Sequence, residues 1–148
     1  MVPTLNGRIQ TRIFLLVVVG VPWTLLVSLV LPRKSGGTIG GMYETTFFVL
    51  ATVIVVGSIF WEPLYHGLMQ FRWEKDWPIG FFLLEGIPEA IVAYVILRNI
   101  GPTPKPPAAG WPAFVIHFAS LWIVVWLTAV GPLRVPFHRW RFRGGRLL

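Results

Sequence analysis

Two carboxylates stand four positions apart in an otherwise apolar run: residues 83–92 read LLEGIPEAIV, with Glu85 and Glu89 on either side of Gly86 and Pro88. At i and i+4 of a helix both side chains lie on one face. Carboxylates so placed can bind and release a proton or cation, hydrogen-bond to neighbouring helices, or ligate a metal. One ionised carboxylate at the centre of a bilayer costs about 2.5–3.5 kcal/mol on insertion scales, so the pair is expected to hold at least one proton. Pro88 removes an N–H, and its ring collides with the carbonyl of Leu84, so the segment is expected to kink there. Such a break is tolerated at membrane depth where the freed backbone faces protein or water.

Counting about 1.5 Å per residue from the ends of the apolar runs puts Glu85 about 12 Å and Glu89 about 18 Å from the inner boundary, His117 about 21 Å, Thr24 about 16 Å and Thr52 about 20 Å. With Tyr94 and Ser120 nearby, Thr24, Thr52, Glu89 and His117 are expected to form one polar layer near the midplane, part of a polar seam in which Glu85 sits closer to the cytoplasmic mouth. Glu62 and His66 are also i and i+4, but the same counting leaves them at the inner boundary, about 18 Å from Glu89, and Pro63 interrupts their turn. They are expected to be interfacial, together with Trp73 and Trp77. No HExxH, GxSxG, P-loop or GxGxxG pattern is present. No cofactor or metal is expected.

The elements that must position these residues follow from composition. Of 148 residues 55% are hydrophobic and 13% charged, and the mean hydropathy is +0.68. Those values belong to a membrane protein. Four runs, 13–31, 45–61, 77–97 and 111–133, are long enough to span a bilayer. The fold class expected is all-α and integral to the membrane: one domain over 1–148, with four transmembrane helices in an antiparallel bundle. The first run is longer than a signal-peptide h-region and is followed by Pro32, Arg33 and Lys34, so it is expected to be a retained anchor. With no cysteine there is neither disulfide nor thiol chemistry.

Nine basic residues, Arg8, Arg12, Arg72, Lys75, Arg134, Arg139, Arg141, Arg143 and Arg146, fall on the side of the termini. Four, Arg33, Lys34, Arg98 and Lys105, fall on the other. By the positive-inside rule both termini are expected in the cytoplasm, with the chain in the cell (inner) membrane. The tail 134–148 alternates Arg139, Arg141 and Arg143 with Trp140 and Phe142, and with Arg146 it fits anionic lipid better than nucleic acid. The runs VVVGVPWTLLVSLVL (17–31) and LLEGIPEAIVAYVIL (83–97) share a Gly-x-Pro, consistent with a parallel two-helix repeat.

Three functions fit this pattern. The first is an assembly or accessory subunit of a larger membrane complex, or a homo-oligomer, whose glutamate pair contacts partner helices. The second is a proton- or cation-coupled small transporter using Glu85 and Glu89 with His117. The third is a membrane-embedded enzyme or metal site.

Overall fold

The computed structural model describes residues 4–71, 79–102 and 110–135, and among these every element of helix or strand length is a helix. Four helices are long and apolar enough to cross a membrane: Leu5–Val30, Ile39–Gln70, Gly80–Ile100 and Trp111–Val130. Twenty helical residues rise about 30 Å, the thickness of a hydrocarbon core. The first two helices extend well beyond the uncharged runs at 13–31 and 45–61. Thr4 caps the first by accepting from Gly7 N at 3.2 Å, and Thr38 caps the second by accepting from Gly41 N at 3.0 Å. Hydropathy sees where charge begins, whereas a cap sees where the backbone needs a partner.

None of the first three helices is regular throughout. The first comprises α1 (Leu5–Leu15), a π-helical turn Leu16–Gly20 and α2 (Val21–Val30). The second comprises α3 (Ile39–Val56), a π-helical turn Gly57–Trp61 and α4 (Glu62–Gln70). The third is interrupted at Glu85 between α5 (Ile79–Leu84) and α6 (Gly86–Ile100), and the fourth is a single helix, α7 (Trp111–Val130). Pro22, Pro63 and Pro88 each follow one of these irregularities within three residues. A proline withholds an N–H and crowds the carbonyl four residues back, so a wide or broken turn just before it relieves both problems.

The wide turns also decide which residues face inward. On a regular helix Arg12 and Thr24 would stand about 120° apart around the axis. A π turn inserts one residue without advancing the helix, which turns everything after it back by about 100° and leaves the two about 20° apart. The same spacing separates Leu50 from Glu62, and the turn at Gly57–Trp61 aligns them in the same way. All four of these side chains are buried.

α1 packs on α4, α2 on α3 and α7, α3 on α6, and α5 on α7. The core between them contains Leu16, Leu50, Leu97 and Leu121, each no more than 2% exposed, and a ladder of stacked rings, Phe114, Phe118 and Trp122. Large apolar side chains such as Leu26, Val55, Ile59, Ile87, Ile91 and Leu127 cover the outside. Such a surface suits lipid and would be an aggregation liability in water.

Candidate functional site

Because α1 starts at Leu5, Arg8 and Arg12 are one helical turn apart inside the packed region. They face three carboxylates. Arg12 is the hub: its Nε donates to Glu62 Oε1 at 2.7 Å, and its Nη1 and Nη2 donate to the two oxygens of Glu89, each at 2.7 Å. Arg8 Nε donates to Glu62 Oε2 at 2.5 Å, and its Nη1 approaches Met69 Sδ at 3.2 Å. Glu62 is thus held by both arginines, and Glu89 by a two-pronged fork, the strongest arrangement a guanidinium offers a carboxylate. Arg12 also lies 5.6 Å from the centre of the Trp122 ring, within cation–π range.

Gly57 makes this crossing possible. A Cβ there would lie 2.9 Å from Arg12 Cζ and 3.0 Å from Cδ, so only a glycine lets the guanidinium pass over the second helix to reach Glu89. Gly86 plays the same part at the break in the third helix, where a Cβ would lie 2.5 Å from Trp122 Nε1. That indole N–H donates to Phe82 O at 3.3 Å, and Tyr65 OH donates to Glu85 O at 3.1 Å. Neighbouring helices therefore supply donors to the carbonyls exposed at the break, as an interrupted helix requires in a medium without water.

Glu85 is the exception among the carboxylates. Its side chain is 4% exposed, neither oxygen accepts a hydrogen bond, and its nearest cation is Arg8 Nη2 at 3.6 Å. That nitrogen is also without a hydrogen-bond partner. The separation is too long for a hydrogen bond.

A second, uncharged cluster lies further along the same helices. Thr24 Oγ1 and His117 Nε2 are 3.0 Å apart, Ser28 Oγ donates to Thr24 O at 2.6 Å, and Ser28 and Thr46 hydroxyls are 2.7 Å apart. Trp23 Nε1 donates to Ser120 Oγ at 3.1 Å, which in turn donates to His117 O at 3.1 Å. Between the two clusters Gly20 brings Leu16, Leu50 and Leu121 together: a Cβ on it would lie 3.1–3.6 Å from all three.

The single polar seam expected from depth counting is therefore two clusters. Glu85 and Glu89 belong to the ionic one, whereas Thr24, His117 and Ser120 belong to the uncharged one. His117 pairs with Thr24 rather than with Glu89, because the side chain that reaches Glu89 is Arg12. Thr52 donates to Phe48 O on its own helix at 2.8 Å and lines a cavity of about 10 Å³ with Glu89, room for about one water. Tyr94 packs on Phe114 with ring centres 5.0 Å apart.

Glu62 is buried in the ionic cluster, and α4 continues the second helix through Pro63. His66 is half-buried on the same helix. Trp73 and Trp77, and the tail residues Arg139, Trp140, Arg141, Arg143 and Arg146, lie outside the described residues. Arg8 and Arg12, counted above among the basic residues on the side of the termini, are engaged in ion pairs. Among the described residues no group of three His, Asp or Glu is placed to hold a metal ion.

The cluster had a signal in the sequence. Arg8 and Arg12 are an i, i+4 pair of the opposite sign to Glu85 and Glu89. No protein-family model matches the chain, and no curated protein and no solved structure matches it at a significant level.

Proposed function

We propose that this chain binds and releases a proton or cation at the Arg–Glu cluster, as a proton- or cation-coupled membrane transporter does. The observation that supports this reading is the inventory of charge: three buried carboxylates surround two guanidiniums, and one of the three, Glu85, is not hydrogen-bonded. Purely structural adhesion between apolar helices needs no excess charge, and an intramembrane ionisable group is a functional site by default. The rest of the arrangement proposed is an antiparallel four-helix bundle in the cell membrane, kinked ahead of Pro88. Both termini are cytoplasmic, and the basic tail rests on anionic lipid. The Gly-x-Pro of each half sits at a helix irregularity, Gly20 in a π turn and Gly86 at the break, which supports a parallel repeat.

A second reading, an accessory subunit, has its own support. Glu85 and Glu89 are turned inward at 5% and 2% exposure, so a partner helix would not meet them. A groove of about 430 Å³ between the third and fourth helices does face outward. It is lined by Gly86, Ala90, Phe114, Phe118, Ala119 and Trp122 among others. Small residues beside an open groove are what close helix approach in a membrane uses. Reconstitution into liposomes with an enclosed pH dye separates the two readings. Coupled transport gives proton flux in the unmodified chain, and the Glu85→Gln plus Glu89→Gln double variant abolishes it. Absence of flux, with a stoichiometric partner in a mild-detergent pull-down, supports the subunit instead.

A further inference from the structure

We infer that the ionic cluster is a one-proton site and that Glu85 is the acid that carries the exchanging proton, with Arg8 as the group that replaces it. This deepens the proton reading above and rests on it only for its biological use. With every group ionised, Arg8 and Arg12 against Glu62, Glu85 and Glu89 leave one uncompensated negative charge. A buried uncompensated charge is among the most expensive things a protein interior can hold. One proton removes it.

Geometry selects the carboxylate. Both oxygens of Glu89 are engaged by Arg12 at 2.7 Å, and the two oxygens of Glu62 are engaged by Arg12 and Arg8, so neither acid can take a proton without losing a charge-assisted bond. Glu85 loses no hydrogen bond, only the longer 3.6 Å approach of Arg8 Nη2, because neither of its oxygens is in a hydrogen bond. The groups that face it are Arg8 and Arg12 from α1, Glu62 and Tyr65 from α4, and Glu89 from α6. The fourth helix has one titratable residue, His117, and it is bonded to Thr24.

A metal cation would balance the charge equally well, but Arg8 Nη2 faces the same carboxylate from 3.6 Å and would repel it. A proton adds no bulk and no second full charge beside the guanidinium. When the proton leaves, the vacant Nη2 of Arg8 is the nearest donor, and closing the gap from 3.6 Å to hydrogen-bond length would compensate the carboxylate. Glu85 lies at the interruption between α5 and α6, three residues before Pro88, which has no N–H to bond the carbonyl of Leu84.

Infrared difference spectroscopy on the purified full chain in lipid nanodiscs, with glutamate carboxyl carbons isotope-labelled, tests this directly. One protonated glutamate carboxyl per chain is expected in the unmodified protein, lost on raising the pH while the fold persists. Glu85→Gln should remove that band, and Arg8→Met, which adds one uncompensated charge, should raise it to two. An unmodified protein with no protonated glutamate at any pH at which it remains folded overturns the inference, as does a band that survives Glu85→Gln. The unmodified spectrum is decisive on its own even if a variant fails to fold. Presence of the band without proton flux in liposomes sinks the transport reading and leaves this one standing; flux without the band does the reverse.

Discussion

Gly57→Ala is the smallest change that tests the ionic cluster. The added methyl would overlap the Arg12 guanidinium, lying 2.9 Å from Cζ and 3.0 Å from Cδ. The guanidinium cannot simply step aside, since it is tied to Glu62 on one edge and to both oxygens of Glu89 on the other. Displacing it leaves Glu89 a buried carboxylate without its fork, and breaking a buried pair in this way costs about 3–5 kcal/mol. Alanine returns about 1 kcal/mol of helix propensity, so the expected net loss is about 2–4 kcal/mol. Reversible unfolding in mixed micelles with increasing SDS, followed by circular dichroism, measures it. Gly67→Ala is the control, because a Cβ at Gly67 on the same helix meets no atom within 4 Å. That change should be neutral or stabilising by up to about 1 kcal/mol. Equal stabilities of the two variants would refute the crossing of Arg12 over Gly57, and so would a Gly57→Ala penalty that persists undiminished in an Arg12→Met background.

Other changes probe the remaining joints. Arg12→Met alone should cost about 3–5 kcal/mol, and adding Glu89→Gln should recover part of it, because an unpaired buried charge is worse than no pair; the same micelle titration reads both. Thr24→Val leaves His117 Nε2 without its 3.0 Å partner and should cost about 1–3 kcal/mol, whereas Thr24→Ser should be closer to the unmodified protein. Gly86→Ala pushes Trp122 off the break and should cost about 1–3 kcal/mol. Loss of the indole bond to Phe82 O should appear as a shift of one indole N–H resonance, and an unshifted spectrum would count against it.

The membrane class and the number of long helices are legible from four apolar runs, because hydropathy and length carry that information by themselves. The partners of Glu85 and Glu89 are not. Depth counting assumes regular helices that start where charge stops, and both assumptions fail here. Arg8 and Arg12 look like flanking charge, yet the cap at Thr4 starts the helix before them. Pro63 looks like an interruption between Glu62 and His66, yet the helix runs on through it as α4, and the π turn at Gly57–Trp61 rotates Glu62 inward. Depth also says nothing about the angle around a helix axis. Depth counting places Glu89 and His117 close together, yet their partners on the first helix, Arg12 and Thr24, are twelve residues apart. The opposite-sign pairs at the same spacing were a usable signal, since an i, i+4 carboxylate pair in a membrane requires cations at the same spacing or protons in their place.

The two polar clusters are separated by a layer that constrains any transport mechanism. Along the first helix Leu16 and Gly20 lie between Arg12 and Thr24, along the second Leu50 lies between Thr46 and Glu62, and on the fourth Leu121 follows His117 by one turn. Gly20 lets these leucines meet, and each is 1–2% exposed. In the proposed proton site, Glu85 thus has a buried apolar layer on one side and, on the other, the end of the helices at which α1 begins. A protein that moves that proton across the membrane must part Leu16, Leu50 and Leu121. The π turn that ends at Gly20 is the place in the first helix where the backbone is already wound off its regular pitch, so that is where such an opening requires the least rearrangement.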